Sequence, residues 1–301
     1  MLGLLVSPMQ AGATGVLDRR FSASQFWDRV RAHGATTVTL VGAMIMMVWN
    51  LPRRDEDADG GLRVFGGAPI PIELWHAIED RYRCTISTAY GQTEAFPLCQ
   101  RDIARPTIPG SVGHRNPRFD VRVVDDAGEE VPNGTVGEVV CRPLEPPAMS
   151  DGYWNRPDAT AQQTRDLWWH TGDLARVDDD GNLFFSDRKK DSIRRRGENI
   201  SSFEVEQAIL THPAVAEVAA HAVPSELTED EVKVCVVVQP GATLTPEELI
   251  DHCVASMPYF AVPRYVEFLD DLPKNAVGRV LKFELRARGI TPTTWDREAA
   301  G

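Results

Sequence analysis

From Ser22 to His33 the apolar side chains Phe26, Trp27 and Val30 fall on one face, with Ser22 or Ser24 placed to cap; this spacing predicts a helix. The stretch from Thr36 starts β-branched and continues apolar through Met47 and Val48, predicting a buried strand that runs into a helix, its methionines filling core. Leu62–Phe65 reads as a short strand ending in a Gly66-Gly67 turn, and Pro71 opens a helix through about Arg81. Strand, glycine turn and helix in succession is α/β grammar, in which ligands meet the carboxyl ends of strands. Cys84–Ser87, Val121–Val124, Gly137–Cys141 and Asn182–Ser186 read as further strands, the last three as an antiparallel region with turns at Asp125-Asp126-Ala127-Gly128 and Asp179-Asp180-Gly181.

The pattern changes near Asp187–Asp191. Ser202–Thr211 reads as a helix, Val215–Val223 and Lys233–Gln239 as strands, Pro246–Ser256 as a helix capped by Thr245, and Tyr265–Leu269 as a last strand. This predicts a small α+β module of roughly 110 residues, an ordinary domain size. The opening MLGLLVSPMQ is apolar but has no basic n-region, so it reads as a buried segment of a domain and not as a signal peptide.

The 301 residues carry 44 acidic against 32 basic side chains, a net charge of −12. That balance argues against general nucleic-acid binding, which needs a basic footprint, but leaves room for a local basic pocket that takes nucleotides or CoA. Five scattered cysteines without a Cys-x-x-Cys pair argue against a zinc site or a disulfide framework and fit a reducing cytoplasm. No run of about 18 apolar residues is present, so no membrane span is expected.

Three stretches carry chemistry. In TAYGQTE (Thr88–Glu94) Tyr90 can stack on a flat base and Gly91 lets backbone approach a ligand. Thr93 can hydrogen-bond an oxyanion, and Glu94 can hold Mg²⁺, a hard cation that prefers oxygen. Read alone, the stretch is equally a turn with an exposed acid. In WWHTGD, from Trp168, Asp173 could take two ribose hydroxyls at once, while His170 reads first as a packing residue beside two tryptophans. In DRKKDSIRRRGENISSFEVE, from Asp187, Arg188 and Lys190 could serve phosphate or ribose oxygens. Arg194, Arg195 and Arg196 could meet a polyphosphate or form a solvated basic turn, and Glu204 and Glu206, early in the next helix, suit its dipole.

GGAP, YGQTE, GYWNRPDAT, WWHTGD, DRKKDSIRRRGENISSFEVE and PKNAVGRVLK stand in the order and spacing of the adenylate-forming superfamily: acyl-CoA synthetases, peptide-synthetase adenylation domains and luciferases. The chain resembles that superfamily over nearly its whole length, and is most similar to acyl-CoA synthetases of the crotonobetaine/carnitine-CoA ligase type. The resemblance implies the C-terminal part of a large α/β domain, residues 1–188, followed by a small α+β domain, residues 189–301. It implies activation of a carboxylic acid with Mg-ATP to an acyl-adenylate, then transfer to the thiol of CoA. Gly66, Gly67 and Ala68 would line the adenine pocket, with Tyr90 stacked on the base and Gly91 beside it. Thr93 would contact the α-phosphate or substrate carboxylate and Glu94 would bind Mg²⁺. Asp173 and Arg188 would hold the ribose, and Lys190 would be the hinge about which the small domain swings. Gly197 would border the pantetheine tunnel, with Arg194–Arg196 near CoA phosphates.

Two departures from that pattern shape the expectation. The superfamily's phosphate loop should lie upstream of GGAP, and nothing here resembles it or Gly-x-x-x-x-Gly-Lys-Ser/Thr. The chain is therefore expected to begin midway through the large domain and to be weak or inactive alone, since lost stabilisation of phosphate charge costs orders of magnitude in rate. A separate chain supplying the rest, self-association through exposed edges, or a non-catalytic nucleotide- or CoA-binding role each remain open. Second, the residue after the glycine of PKNAVGRVLK is Arg279 where the superfamily has lysine, so Arg279, Lys282 or Lys274 is expected to act on the substrate carboxylate.

Overall fold

Three parallel strands carry the first part of the chain, as the α/β pattern predicted. The computed structural model describes residues 2–59, 61–225, 229–275 and 278–299; the side chains of residues 2–5 and 43 lie outside that description. Its Cα packing divides into two units, Met1–Ala89 with Arg101–Gly110, and Tyr90–Gln100 with Ser111–Gly301.

The first unit holds helices α1 (Leu2–Gln10) and α2 (Ala23–Ala32), strand β1 (Thr37–Val41), α3 (Ala43–Trp49), β2 (Val64–Ala68), α4 (Trp75–Tyr82) and β3 (Thr85–Ser87). The strands form one sheet in the order β1-β2-β3, both pairings parallel. Trp27, Leu40, Ile45, Phe65, Trp75 and Ile86 are among the buried side chains that join the helices to the sheet. Gly66 and Gly67 are not a turn: they lie inside β2, opposite Thr39 and Leu40. A Cβ on Gly67 would stand 2.6 Å from the Leu40 carbonyl oxygen and 2.9 Å from Ile45 Cδ1, so close packing of the sheet and α3 already requires glycine there. α1 also differs from expectation: its described side chains Val6 and Met9 are 40% and 77% exposed, not buried.

The second unit begins with β4 (Ala89–Gln92), β5 (Ala95–Gln100) and β6 (His114–Arg115), which make a small sheet in that order. Then follow β7 (Phe119–Val124), β8 (Gly137–Pro143), α5 (Pro157–Gln163), β9 (Thr164–Arg165), β10 (Trp168–Val177) and β11 (Leu183–Arg188). β11, β10, β8 and β7 lie side by side, antiparallel throughout, with β9 on β10. β10 was not legible as a strand. Its inward positions alternate regularly, but two of the five, Thr171 and Asp173, are polar, which hides the period-two signal.

Beyond β11 come β12 (Ile193–Arg195), β13 (Glu198–Ile200), α6 (Ser202–Leu210), β14 (Val215–Pro224), β15 (Asp230–Val238), α7 (Pro246–Ser256), β16 (Tyr265–Phe268), α8 (Lys282–Arg288) and β17 (Trp295–Asp296). Strands β14-β15-β16-β17 form a mixed sheet, covered by α6 and α7 around Val205, Ile209, Val234 and Leu249. Thr245 caps α7 as expected and completes a capping box with Glu248. The helix α8 and the β12–β13 hairpin had no counterpart in the predicted elements. Within this unit the buried apolar residues form one cluster over Tyr90–Leu183, another over Ile193–Val266 and a small third of Ala219, Cys235, Leu272 and Leu285.

Candidate functional site

The register of β10 against β11 sets Asp173 opposite Arg188. Asp173 is 2% exposed and points inward because its strand alternates, so its charge needs partners. The Tyr90 hydroxyl donates to Oδ2 at 2.9 Å and Gln92 Nε2 donates to the same oxygen at 2.8 Å. Arg188 Nε lies 3.0 Å from Oδ1 but is not aligned to donate, and Oδ1 accepts no hydrogen bond among the described residues. A buried carboxylate oxygen with open acceptor capacity suits hydroxyl donors from a ligand. Burial first, then the Asp173 charge, pushes the Tyr90 phenol above its ordinary value, so Tyr90 stays a donor. Its ring is 6% exposed and packs tilted against Phe185, so in this unit Tyr90 orients the acid as much as it offers a face. Gln92 is a site residue that sequence reasoning passed over. It also donates to the Thr171 carbonyl at 2.7 Å, and only the fold shows that YGQTE and WWHTGD share this carboxylate.

Behind Asp173, Glu138 of β8 has Lys189 Nζ 3.2 Å away and His170 Nδ1 3.4 Å away. Burial pushes the Glu138 carboxyl up, but the His170 contact and the Lys189 charge outweigh it and hold the group below its usual value. His170 thus faces an interior acid. Lys190, the expected hinge, follows Lys189 just beyond β11, and Lys189 also reaches Asp126 at 2.7 Å.

Glu94 sits in the turn between β4 and β5, where Thr93 is exposed. Glu94 Oε1 accepts a 2.6 Å hydrogen bond from the Tyr153 hydroxyl, whose pKa burial and then Glu94 push up to about 12. Gly91 has a structural reason of its own, since a Cβ there would lie 2.7 Å from the Ala95 carbonyl oxygen. Among the described residues no group of three or more His, Cys, Asp or Glu side chains could cage a metal. A single carboxylate such as Glu94 still fits Mg²⁺, which takes one or two acids and completes its shell with phosphate oxygens and water. Gly66, Gly67 and Ala68, expected at the adenine, belong to the first unit.

The arginine triplet separates into two roles. β12 and β13 form a hairpin closed by Arg196 and Gly197, with φ of 52° and 84°. Positive φ at both positions makes a tight turn that glycine accepts and arginine tolerates at some cost. Arg195 turns inward at 2% exposure: Nε lies 2.6 Å from Glu231, and Nη1 donates to the carbonyls of Phe260 and Val262. It supports the domain interior and has no exposed head to meet a CoA phosphate. Arg194 and Arg196 keep side chains 68% and 61% exposed, with long contacts to Glu229, Glu231 and Glu298.

PKNAVGRVLK folds back on itself. Leu281 N donates to the Pro273 carbonyl, Asn275 N to that of Arg279, and Lys274 bridges Val280; Ala276 and Val277 lie outside the described residues. The structure sorts the three candidate cations. Lys274 binds Glu217 and Asp271 at 2.8 and 2.7 Å. Lys282 binds Glu206 at 2.7 Å and donates to Ser202 Oγ at 2.8 Å, so Glu206, to which the sequence assigned no chemistry, is its partner. Arg279 is exposed, and its guanidinium has no partner among the described residues.

Residues 1–154 match the family model described as AMP-binding enzyme, and residues 204–279 match that of the AMP-binding enzyme C-terminal domain. Among similar proteins, a fatty acid–[acyl-carrier-protein] ligase, ScoC, of Streptomyces coeruleorubidus is 37% identical over 92% of this chain and 54% of its own. A crotonobetaine/carnitine–CoA ligase of Proteus mirabilis (strain HI4320) is 33% identical over 91% of this chain and 54% of its own. The ATP-bound structure of MatB from Rhodopseudomonas palustris superposes with a TM-score of 0.82 at 28% identity, covering 95% of this chain and 57% of that one. The chain thus spans about half the length of the curated relatives it matches. No described helix is long and apolar enough to cross a membrane.

Proposed function

This chain belongs to the AMP-binding enzyme family, and on that premise we propose that it carries the chemistry of an ATP-dependent acid–thiol ligase. In the first step a substrate carboxylate attacks the α-phosphorus of ATP and displaces pyrophosphate. In the second, the thiol of CoA attacks the acyl carbonyl and AMP leaves. The observation that carries this reading is the buried Asp173, oriented by Tyr90 and Gln92 on one oxygen, while its other oxygen lies 3.0 Å from Arg188 and accepts no hydrogen bond among the described residues. Arg188 stands beside it, Thr93 reads the α-phosphate or the substrate carboxylate, and Glu94 would hold Mg²⁺, which shields phosphate charge when bound. Gly66–Ala68 contribute backbone to the adenine pocket. Arg279, exposed and without a described partner, is the cation suited to a developing phosphate or carboxylate charge. Residues 189–301 form the small domain that swings about Lys190, so that one site serves both steps. Gly197 borders the pantetheine path, and Arg194 and Arg196 meet CoA phosphates. A cytoplasmic setting suits these substrates.

Calorimetry of AMP with the 301-residue chain and with Asp173→Ala tests the reading. Two charge-assisted hydrogen bonds at about 1.5 kcal/mol each predict roughly a hundredfold loss of affinity. Equal affinity in the two proteins overturns the assignment of Asp173. The half-length coverage of the relatives favours a second reading, a nucleotide- or CoA-binding module without turnover. Acid-dependent ATP–pyrophosphate exchange decides: exchange supports the ligase, and AMP binding without exchange supports the module.

A further inference from the structure

Two bonds fasten the 150–153 loop to Glu94. Ser150 N donates to the Glu94 carbonyl at 2.7 Å, and the Tyr153 hydroxyl donates to Glu94 Oε1 at 2.6 Å. The loop is itself braced. Tyr153 N donates to Thr160 Oγ1 on α5 at 2.9 Å, and the Tyr153 ring lies 5.7 Å from that of Trp169. Gly152 sits at φ 132°, where a Cβ would stand 2.6 Å from Thr160 Cγ2, so α5 fixes the path of the loop. Glu94 Oε2 accepts no hydrogen bond from the described residues.

We propose that Tyr153 is a positioning residue for the Glu94 carboxylate: it occupies Oε1 and presents Oε2 as the single oxygen offered to a divalent cation bound with the nucleotide phosphate. The proposal rests on the reading of Glu94 as the cation ligand. A carboxylate on a turn can otherwise rotate among several orientations, or offer both oxygens. Mg²⁺ and Mn²⁺ bound through one acid keep other positions for phosphate and water, so a carboxylate with one oxygen already engaged is the better ligand. Outer partners of this kind are worth about 10- to 100-fold in metal affinity. Tyr153 thereby ties the GYWNRPDAT stretch to the YGQTE acid through geometry that neither stretch shows alone.

The test is Mn²⁺ titrated by electron paramagnetic resonance into the AMP-saturated 301-residue chain, its Tyr153→Phe variant and its Glu94→Gln variant, with AMP affinity measured separately without metal. Tyr153→Phe keeps the ring against Trp169 and removes only the donor. The expected result is about a tenfold weaker Mn²⁺ site in Tyr153→Phe, with its metal-free AMP affinity within twofold of wild type, and loss of the site in Glu94→Gln. Wild-type Mn²⁺ affinity in Tyr153→Phe, with the site lost in Glu94→Gln, overturns the role of Tyr153 and leaves Glu94 standing. An unaltered site in Glu94→Gln, or no site in the wild-type chain, removes the reading of Glu94 and the proposal with it. A Tyr153→Phe chain that also loses metal-free AMP binding shows a structural role and overturns the positioning one.

Discussion

Replacing Lys282 by methionine keeps the length of the side chain and removes its charge. In the native chain the ammonium lies 2.7 Å from Glu206, with both side chains 16% exposed, and it also donates to Ser202 Oγ. Ser202 in turn donates to Asp187, which precedes Arg188 in β11, so one cation joins α8, α6 and the strand that carries Arg188. Exposed ion pairs contribute about 0–1 kcal/mol, whereas breaking a fully buried one costs about 3–5 kcal/mol. At this exposure, and with Glu206 still accepting from Ala220 N, we expect Lys282→Met to cost about 2–3 kcal/mol at pH 8. The pH dependence has a definite sign. Burial raises the Glu206 carboxyl above 4.5 even with Lys282 present, and losing Lys282 raises it further. A carboxyl raised in the folded state binds its proton more tightly there than in the unfolded chain. The deficit of the variant therefore shrinks as pH falls from 8 toward the unfolded value of 4.5. Urea unfolding followed by tryptophan fluorescence at pH 8 and pH 5.5 measures it, with Glu206→Gln and the double variant completing a cycle. A cost below about 0.5 kcal/mol, equal costs at both pH values, or strict additivity in the cycle would refute this account of Lys282.

Two further outcomes follow from the same structure. His221 is fully buried, and desolvation lowers its pKa from 6.5 to about 4, so its folded form stays neutral while the unfolded chain takes a proton as pH falls below 6.5. Stability is expected to fall by up to about 3 kcal/mol between pH 6.5 and 4, and this slope should flatten in His221→Gln; an unchanged slope assigns the acid sensitivity elsewhere. In acid-dependent ATP–pyrophosphate exchange, Arg279→Ala should lose most of the rate and Arg279→Lys should keep much of it, while Lys282→Ala should act mainly through stability. Exchange abolished by Lys282→Ala in a chain that stays folded makes Lys282 the acting cation.

What the sequence by itself determined was local. Helices with a clear apolar face or a cap, such as α2 and α7, were legible because 3.6-residue periodicity and Thr245 are written in consecutive residues. Strands β14 and β15 were legible because Val, Ala and Cys dominate them and most of their positions are buried. The order of six short motifs was enough to place the chain in a superfamily. Tertiary structure decided what depends on pairing across long separations. β10 hid its periodicity because two inward positions carry Thr171 and Asp173, side chains made affordable by partners up to 83 residues distant in sequence. Gly66 and Gly67 resembled a turn because glycine is permissive, but the space beside Leu40 and Ile45 is what excludes a side chain at Gly67. The arginine triplet looked uniform until alternation along β12 buried Arg195 and left its neighbours exposed. Charge patterns along a chain show which groups exist; only packing shows which are already neutralised and which remain open to a ligand.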